Sequence, residues 1–64
     1  MKISVVIPVF NEKNFIISTL NKINKQKNNL NIEIIVVDDC SNDGTYELLT
    51  ENKDLYDLII RNEK

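Results

Sequence analysis

The chain has no histidine, one cysteine, one glycine and one proline among 64 residues, and each scarcity removes a class of chemistry. Without histidine, and with Cys40 as the sole cysteine, this segment can hold no internal disulfide, no Cys/His zinc site and no histidine base. With no histidine to activate it, Cys40 reads as a small loop residue, not a nucleophile. No run approaches the ~20 apolar residues of a membrane-spanning helix. The opening stretch from Ile3 to Phe10 is also no signal peptide, being short, β-branched, broken by Pro8 and without a small-residue cleavage site. A formal net charge of −2 gives no footprint for nucleic acid. The chain reads as one small cytoplasmic domain, residues 1–64, of a length that buries only ~60% of its unfolded surface.

Two apolar runs that each stop at a polar loop carry most of the information. The first is S-V-V-I-P-V-F-N, Ser4 to Asn11, and the second is I-I-V-V-D-D-C-S-N-D-G-T, Ile34 to Thr45. Ile3 to Val9 is nearly all Val and Ile, which suits a strand buried on both faces, with Pro8 near the end where a missing amide donor is tolerated. From Asn14 to about Gln26, Ile16, Leu20 and Ile23 recur at helical spacing while lysines and asparagines fall mostly off that face, so an amphipathic helix is expected with Asn11 or Asn14 as its cap. Lys27 to Asn31 is turn material, and Ile32 to Val37 is a second strand. A second helix is expected from Thr45 to about Asn52, capped by Ser41 or Asp43 and burying Leu48 and Leu49. Leu58 to Arg61 starts a third strand.

The order is βαβαβ, an α/β arrangement of three parallel strands with two helices. Right-handed crossovers put both helices on one face and bring both loops to the carboxyl edge of the sheet, where open α/β folds bind ligands. Helices on one side only would leave the other side of these strands facing water, in conflict with their continuous apolar runs. The chain therefore reads as the truncated amino-terminal part of a larger domain.

The single glycine, Gly44, lies in the second loop, so the first loop, P-V-F-N-E, offers no glycine turn for close approach to a phosphate. An acidic second loop suits phosphate still less. The pair of loops suits a nucleoside: Phe10 or the flat face of Pro8 can pack on a base, and a carboxylate can accept from a base N–H or a ribose hydroxyl. Any diphosphate would need a metal whose ligands lie elsewhere.

V-V-I-P-V-F-N-E, a helix, and then E-I-I-V-V-D-D-C-S-N-D-G-T-Y-E-L-L together resemble the amino-terminal third of the nucleotide-binding half of family 2 glycosyltransferases, whose domain is the Rossmann-like GT-A fold. By position, the resemblance implies nucleotide contacts from Pro8, Phe10, Glu12, Val37 and Asp39. Phe10 stands where tyrosine is commoner, which keeps the aromatic face and loses a hydroxyl. The resemblance also implies a nucleoside-diphosphate sugar as donor, an acceptor glycan or polyprenyl phosphate, Mg2+ or Mn2+ in the full-length enzyme, inversion at the anomeric carbon, and a location in the cytoplasm or at the inner membrane face. The family's metal-binding D-x-D, its acceptor site and its catalytic carboxylate fall later in sequence than Lys64, and Asp38-Asp39 matches the nucleoside site, not the D-x-D. This segment is thus expected to supply no catalytic residue and no metal ligand, and to be silent alone, as would an inactive remnant of such an enzyme.

Individually the same residues have plainer uses. Asp39 could cap the following helix, Asp38 is expected as a cap or strand end, Phe10 could be core, and Glu12 could be a solvated first-turn acid. A different class is also conceivable from I-I-V-V-D-D followed by a helix and Y-D-L-I-I, which resembles the opening of response-regulator receiver domains. That reading requires an aspartate at the end of the next strand, where Arg61-Asn62 stands, and leaves Ser4 to Asn11 without a counterpart.

Overall fold

The computed structural model describes residues 2–27 and 30–63. Strand β1 (Lys2–Val9) leads to helix α1 (Ile16–Lys25), strand β2 (Asn31–Asp39), helix α2 (Thr45–Thr50), a short 3-10 turn (Lys53–Leu55) and strand β3 (Leu58–Asn62). The three strands form one parallel sheet in the order β1-β2-β3, with β2 in the centre. The expected βαβαβ order is observed, and the strands extend one or two residues beyond the expected ends. Residues 28 and 29, in the expected turn, lie outside the described residues.

Alternation along the strands decides which side is covered. Val9, Ile34 and Val36 point into a core with Ile16 and Leu20 of α1 and Leu49 of α2, and all six are buried. Ile7, Ile32, Ile59, Leu48 and Tyr56 pack around them, half-buried. Each fully buried aliphatic side chain contributes about 1.5–3 kcal/mol of transfer free energy. On the opposite side, Val6 is 59%, Leu58 48% and Ile60 45% exposed. The bare face is therefore Val6, Pro8, Ile35, Val37, Leu58 and Ile60, brought together by the registers Val6↔Ile35↔Leu58 and Pro8↔Val37↔Ile60. Within Ile34 to Val36 only the middle residue belongs to it, because its neighbours point at the helices.

Neither asparagine caps α1. The helix starts two residues later than expected, and its first amides are met by the Glu12 carbonyl, which accepts from Phe15 N–H at 3.0 Å and Ile16 N–H at 2.9 Å. Lys22 and Lys25 in its last turn complement the helix dipole. Helix α2 stops at Thr50, short of Asn52, and is followed by the 3-10 turn, which the sequence pattern did not signal. Side chains fix that connection. Asn24 Nδ2 donates to the carbonyls of Leu20 and Leu55 at 2.9 and 3.0 Å, and the Tyr56 hydroxyl donates to the Leu49 carbonyl at 2.9 Å. Burial, with the neighbouring Tyr46 adding a smaller effect, pushes the Tyr56 phenol above its ordinary value. Asp57 then closes the entry to β3, accepting from Ile34 N–H at 2.7 Å and donating its own N–H to the Ile34 carbonyl at 2.9 Å.

Candidate functional site

Parallel pairing brings Val9, Asp38 and Arg61 into one row at the carboxyl edge, with Asp39 beside Asn62 one step further. The first loop leaves this edge through Phe10 and Asn11, the second through Cys40 to Gly44. Both loops turn sharply. Asn11 (φ 49°), Cys40 (φ 60°) and Gly44 (φ 97°) are all in the left-handed region. Asparagine and glycine enter that region readily, whereas a cysteine there costs roughly 1 kcal/mol.

The adjacent carboxylates of β2 have opposite surroundings. Asp38 points to the helix side and is fully buried, while Asp39 is exposed on the other side. A buried carboxylate must be paired, and Asp38 is: Oδ1 accepts from the Ser41 hydroxyl, Oδ2 accepts from Ser41 N–H at 3.4 Å, and Arg61 Nε lies 3.6 Å from Oδ2. The Arg61 guanidinium also sits 4.3 Å over the Tyr46 ring and donates from Nη2 to the Ser41 carbonyl at 3.5 Å. Asp38 is thus the strand-end residue that the sequence suggested. Arg61, its counter-ion, is a residue that sequence reasoning missed; aligning the strand ends would have placed its charge opposite that carboxylate.

Of the five residues expected at the site, Pro8, Val37 and Asp39 share the bare face at its carboxyl end, Pro8 and Val37 as direct register partners. Phe10 follows β1 at the same edge and is 57% exposed, so it is not core. Glu12 is half-buried in the first loop, outside the first turn of α1. An apolar strip and an exposed carboxylate thus share an open shelf, with the exposed Phe10 leaving β1 at the same edge; among the described residues there is no enclosed pocket.

The second loop is arranged by its own polar groups. Asp43 takes the capping role, accepting at Oδ1 from Thr45 N–H at 3.0 Å and from the Thr45 hydroxyl, although Gly44 occupies the cap position itself. These bonds, the hydroxyl of Thr45 foremost, hold the Asp43 carboxyl below the ordinary aspartate range. Ser41 does not cap α2, because its hydroxyl is committed to Asp38 and also accepts from Asn11 N–H at 2.9 Å. Among the described residues no three Asp, Glu, Cys or His side chains are grouped to hold a metal, and no helix is long and apolar enough to cross a membrane.

A parallel βαβαβ unit with two polar loops at its carboxyl edge is a Rossmann-like arrangement, and comparison with known proteins gives it a family. The model for glycosyl transferase family 2 matches residues 4–63, and the chain belongs to that family. It is 40% identical to a dolichol-phosphate mannosyltransferase of Pyrococcus furiosus over 100% of its length and 18% of that protein's. It is 43% identical to the abequosyltransferase RfbV of Salmonella typhimurium, covering 94% of this chain and 18% of the relative. A poly(ribitol-phosphate) beta-N-acetylglucosaminyltransferase, TarS, of Staphylococcus aureus is 36% identical over 94% of this chain and 11% of its own length. The chain spans 18% or less of each of these relatives. No solved structure matches it significantly.

Proposed function

We propose that this chain forms the nucleoside-binding part of an inverting glycosyltransferase that uses a nucleoside-diphosphate sugar. One observation carries the reading: Pro8, Val37 and Asp39 lie together on one face of the sheet, at the edge from which the exposed Phe10 also emerges. A base packs on the Phe10 ring and the apolar strip, while Asp39 accepts from a base N–H or a ribose hydroxyl. Glu12 lies near enough in sequence to join them from the first loop. Glycosyl transfer is common ground with the named relatives, whose names refer to substrates from dolichol phosphate to poly(ribitol-phosphate). For this chain the acceptor class is a glycan or a polyprenyl phosphate, and the site of action is the cytoplasm or the inner face of a membrane.

Two carboxylates at this edge, Asp38 and Asp43, are already committed and offer no ligand to a divalent metal. Asp38 is spoken for by Arg61 and Ser41, and Asp43 by Thr45 and the Lys13 amide. A metal that neutralises the donor's diphosphate would take its ligands outside these 64 residues, as would the base that activates the acceptor.

The test is calorimetric titration with uridine, guanosine and cytidine diphosphates in the presence of a chelator. A charge-assisted hydrogen bond is worth ~1.5–3 kcal/mol, so Asp39→Ala should weaken the preferred nucleotide roughly ten- to a hundredfold, and Asp38→Asn should do much less. Equal affinities for wild type and Asp39→Ala, or a larger loss at Asp38, would assign the wrong carboxylate.

A further inference from the structure

We propose that Asn11 and Ser41 are positioning residues that clasp the first loop to the second and so set the gap between Phe10 and Asp39 in which a nucleoside is held. The inference rests on the nucleoside reading above and adds two residues to it. The clasp is reciprocal: Asn11 N–H donates to the Ser41 hydroxyl at 2.9 Å, and Asn42 N–H donates to Asn11 Oδ1 at 2.8 Å. Lys13 N–H donates to Asp43 Oδ2 at 3.3 Å alongside. The left-handed backbone at Asn11 is what lets one residue use both its amide and its side chain across the gap. Ser41 is buried, and its hydroxyl cannot rotate freely, because it donates to Asp38 while accepting from Asn11. Asp38 is in turn fixed by Arg61. An unbroken series of polar contacts therefore runs from the end of β3 through β2 to the first loop.

The position of the clasp separates it from the supports of the fold. Asn11 and Asn42 are exposed, so their bonds exchange readily with water and contribute little net stability, yet they join the immediate neighbour of Phe10 to the loop that follows Asp39. Fixing two contact groups before the ligand arrives lowers the ordering cost of binding.

The test uses the full chain and NMR titration with uridine, cytidine and guanosine, uncharged so that a charge at residue 11 does not bias the comparison. Asn11→Gly keeps the left-handed backbone and deletes the acceptor; Asn11→Asp keeps both. Asn11→Gly should weaken binding ~5-fold and speed hydrogen exchange at the Asn42 amide, while Asn11→Asp should stay within about twofold of wild type. Because the clasp acts through Asp39, Asn11→Gly should cost less than about twofold when Asp39 is already alanine. Asn11→Ala, which deletes the same acceptor without touching the buried Asp38, gives an independent measurement should Asn11→Gly fail to fold. Wild-type affinity in Asn11→Gly while Asp39→Ala weakens binding, or losses that simply add in the double variant, would overturn the clasp alone. Absence of binding by wild type, or an Asp39→Ala variant that binds as wild type does, would overturn the nucleoside reading and with it the role of the clasp, whatever the Asn42 exchange shows.

Discussion

Ile34 and Ile35 are the same residue type, adjacent in the same central strand, yet one is fully buried beneath two helices and the other sits on a face where Val6, Leu58 and Ile60 are exposed. The same alternation separates Asp38 from Asp39 four residues on. On the helix side, apolar groups make a core and the carboxylate is locked into ion pairing. On the bare side, apolar groups make a shelf and the carboxylate is open to solvent. A period of two thus divides the sheet into a side that supports the fold and a side whose carboxyl end is left for recognition.

The sharpest way to break that division is to truncate both isoleucines. Ile34→Ala should cost ~2–5 kcal/mol, comparable with the whole stability of so small a domain, whereas Ile35→Ala should cost about 1 kcal/mol or less. Urea unfolding followed by circular dichroism measures both. Equal losses would mean that the bare face is covered in solution.

The carboxylate pair sharpens the contrast at smaller scale. Asp38→Ala removes the partner of Ser41 and Arg61 in a buried setting and should destabilise by ~2–3 kcal/mol, while Asp39→Ala should change stability by no more than about 0.5 kcal/mol. The two substitutions then have crossed effects, since the binding loss belongs to Asp39. A stability loss at Asp39 matching that at Asp38 would remove the distinction.

The smallest expected effect is a titration. The Asp43 carboxyl is held low by the Thr45 hydroxyl and by backbone amides, so its folded value lies below its unfolded one. Its contribution to stability is then fully present above the unfolded value and is lost as pH falls through the folded value. Carbon-detected NMR should show Asp43 titrating below the ordinary aspartate range, and Thr45→Val should bring it back toward that range.

The strands were legible because runs of Val and Ile have few other uses, and α1 because Ile16, Leu20 and Ile23 make a stripe that only a helix can bury together. The clasp was not. Ten asparagines in 64 residues dilute the meaning of any one, and a helix-cap rule assigns Asn11 to the nearest helix because it knows nothing of a loop thirty residues away. Ser41 failed as a cap for a related reason: a local rule cannot see that a buried Asp38 competes for its hydroxyl. The bare second face was legible as well: right-handed crossovers place both helices on one side, as they lie in the structure, although the apolar runs call for cover on both. Pro8, Phe10, Glu12, Val37 and Asp39 came from family resemblance, and the geometry adds that three of them share a face.

The all-parallel register also governs when structure can form. Ser4 meets Glu33 across 29 residues, and Ile34 meets Asp57 across 23, with no hairpin anywhere in the sheet. A growing chain emerging from the ribosome can wind α1 early, but it cannot make a single rung of sheet until β2 has been synthesised, and the central strand stays open on one edge until β3 follows. Loops of that length must close before any pairing rewards them, which makes this a slow-folding topology for its size. Until then Val6 and Ile35 are exposed together with the unpaired backbone beside them, so the nascent chain is at greatest risk of association in the interval between its second and third strands.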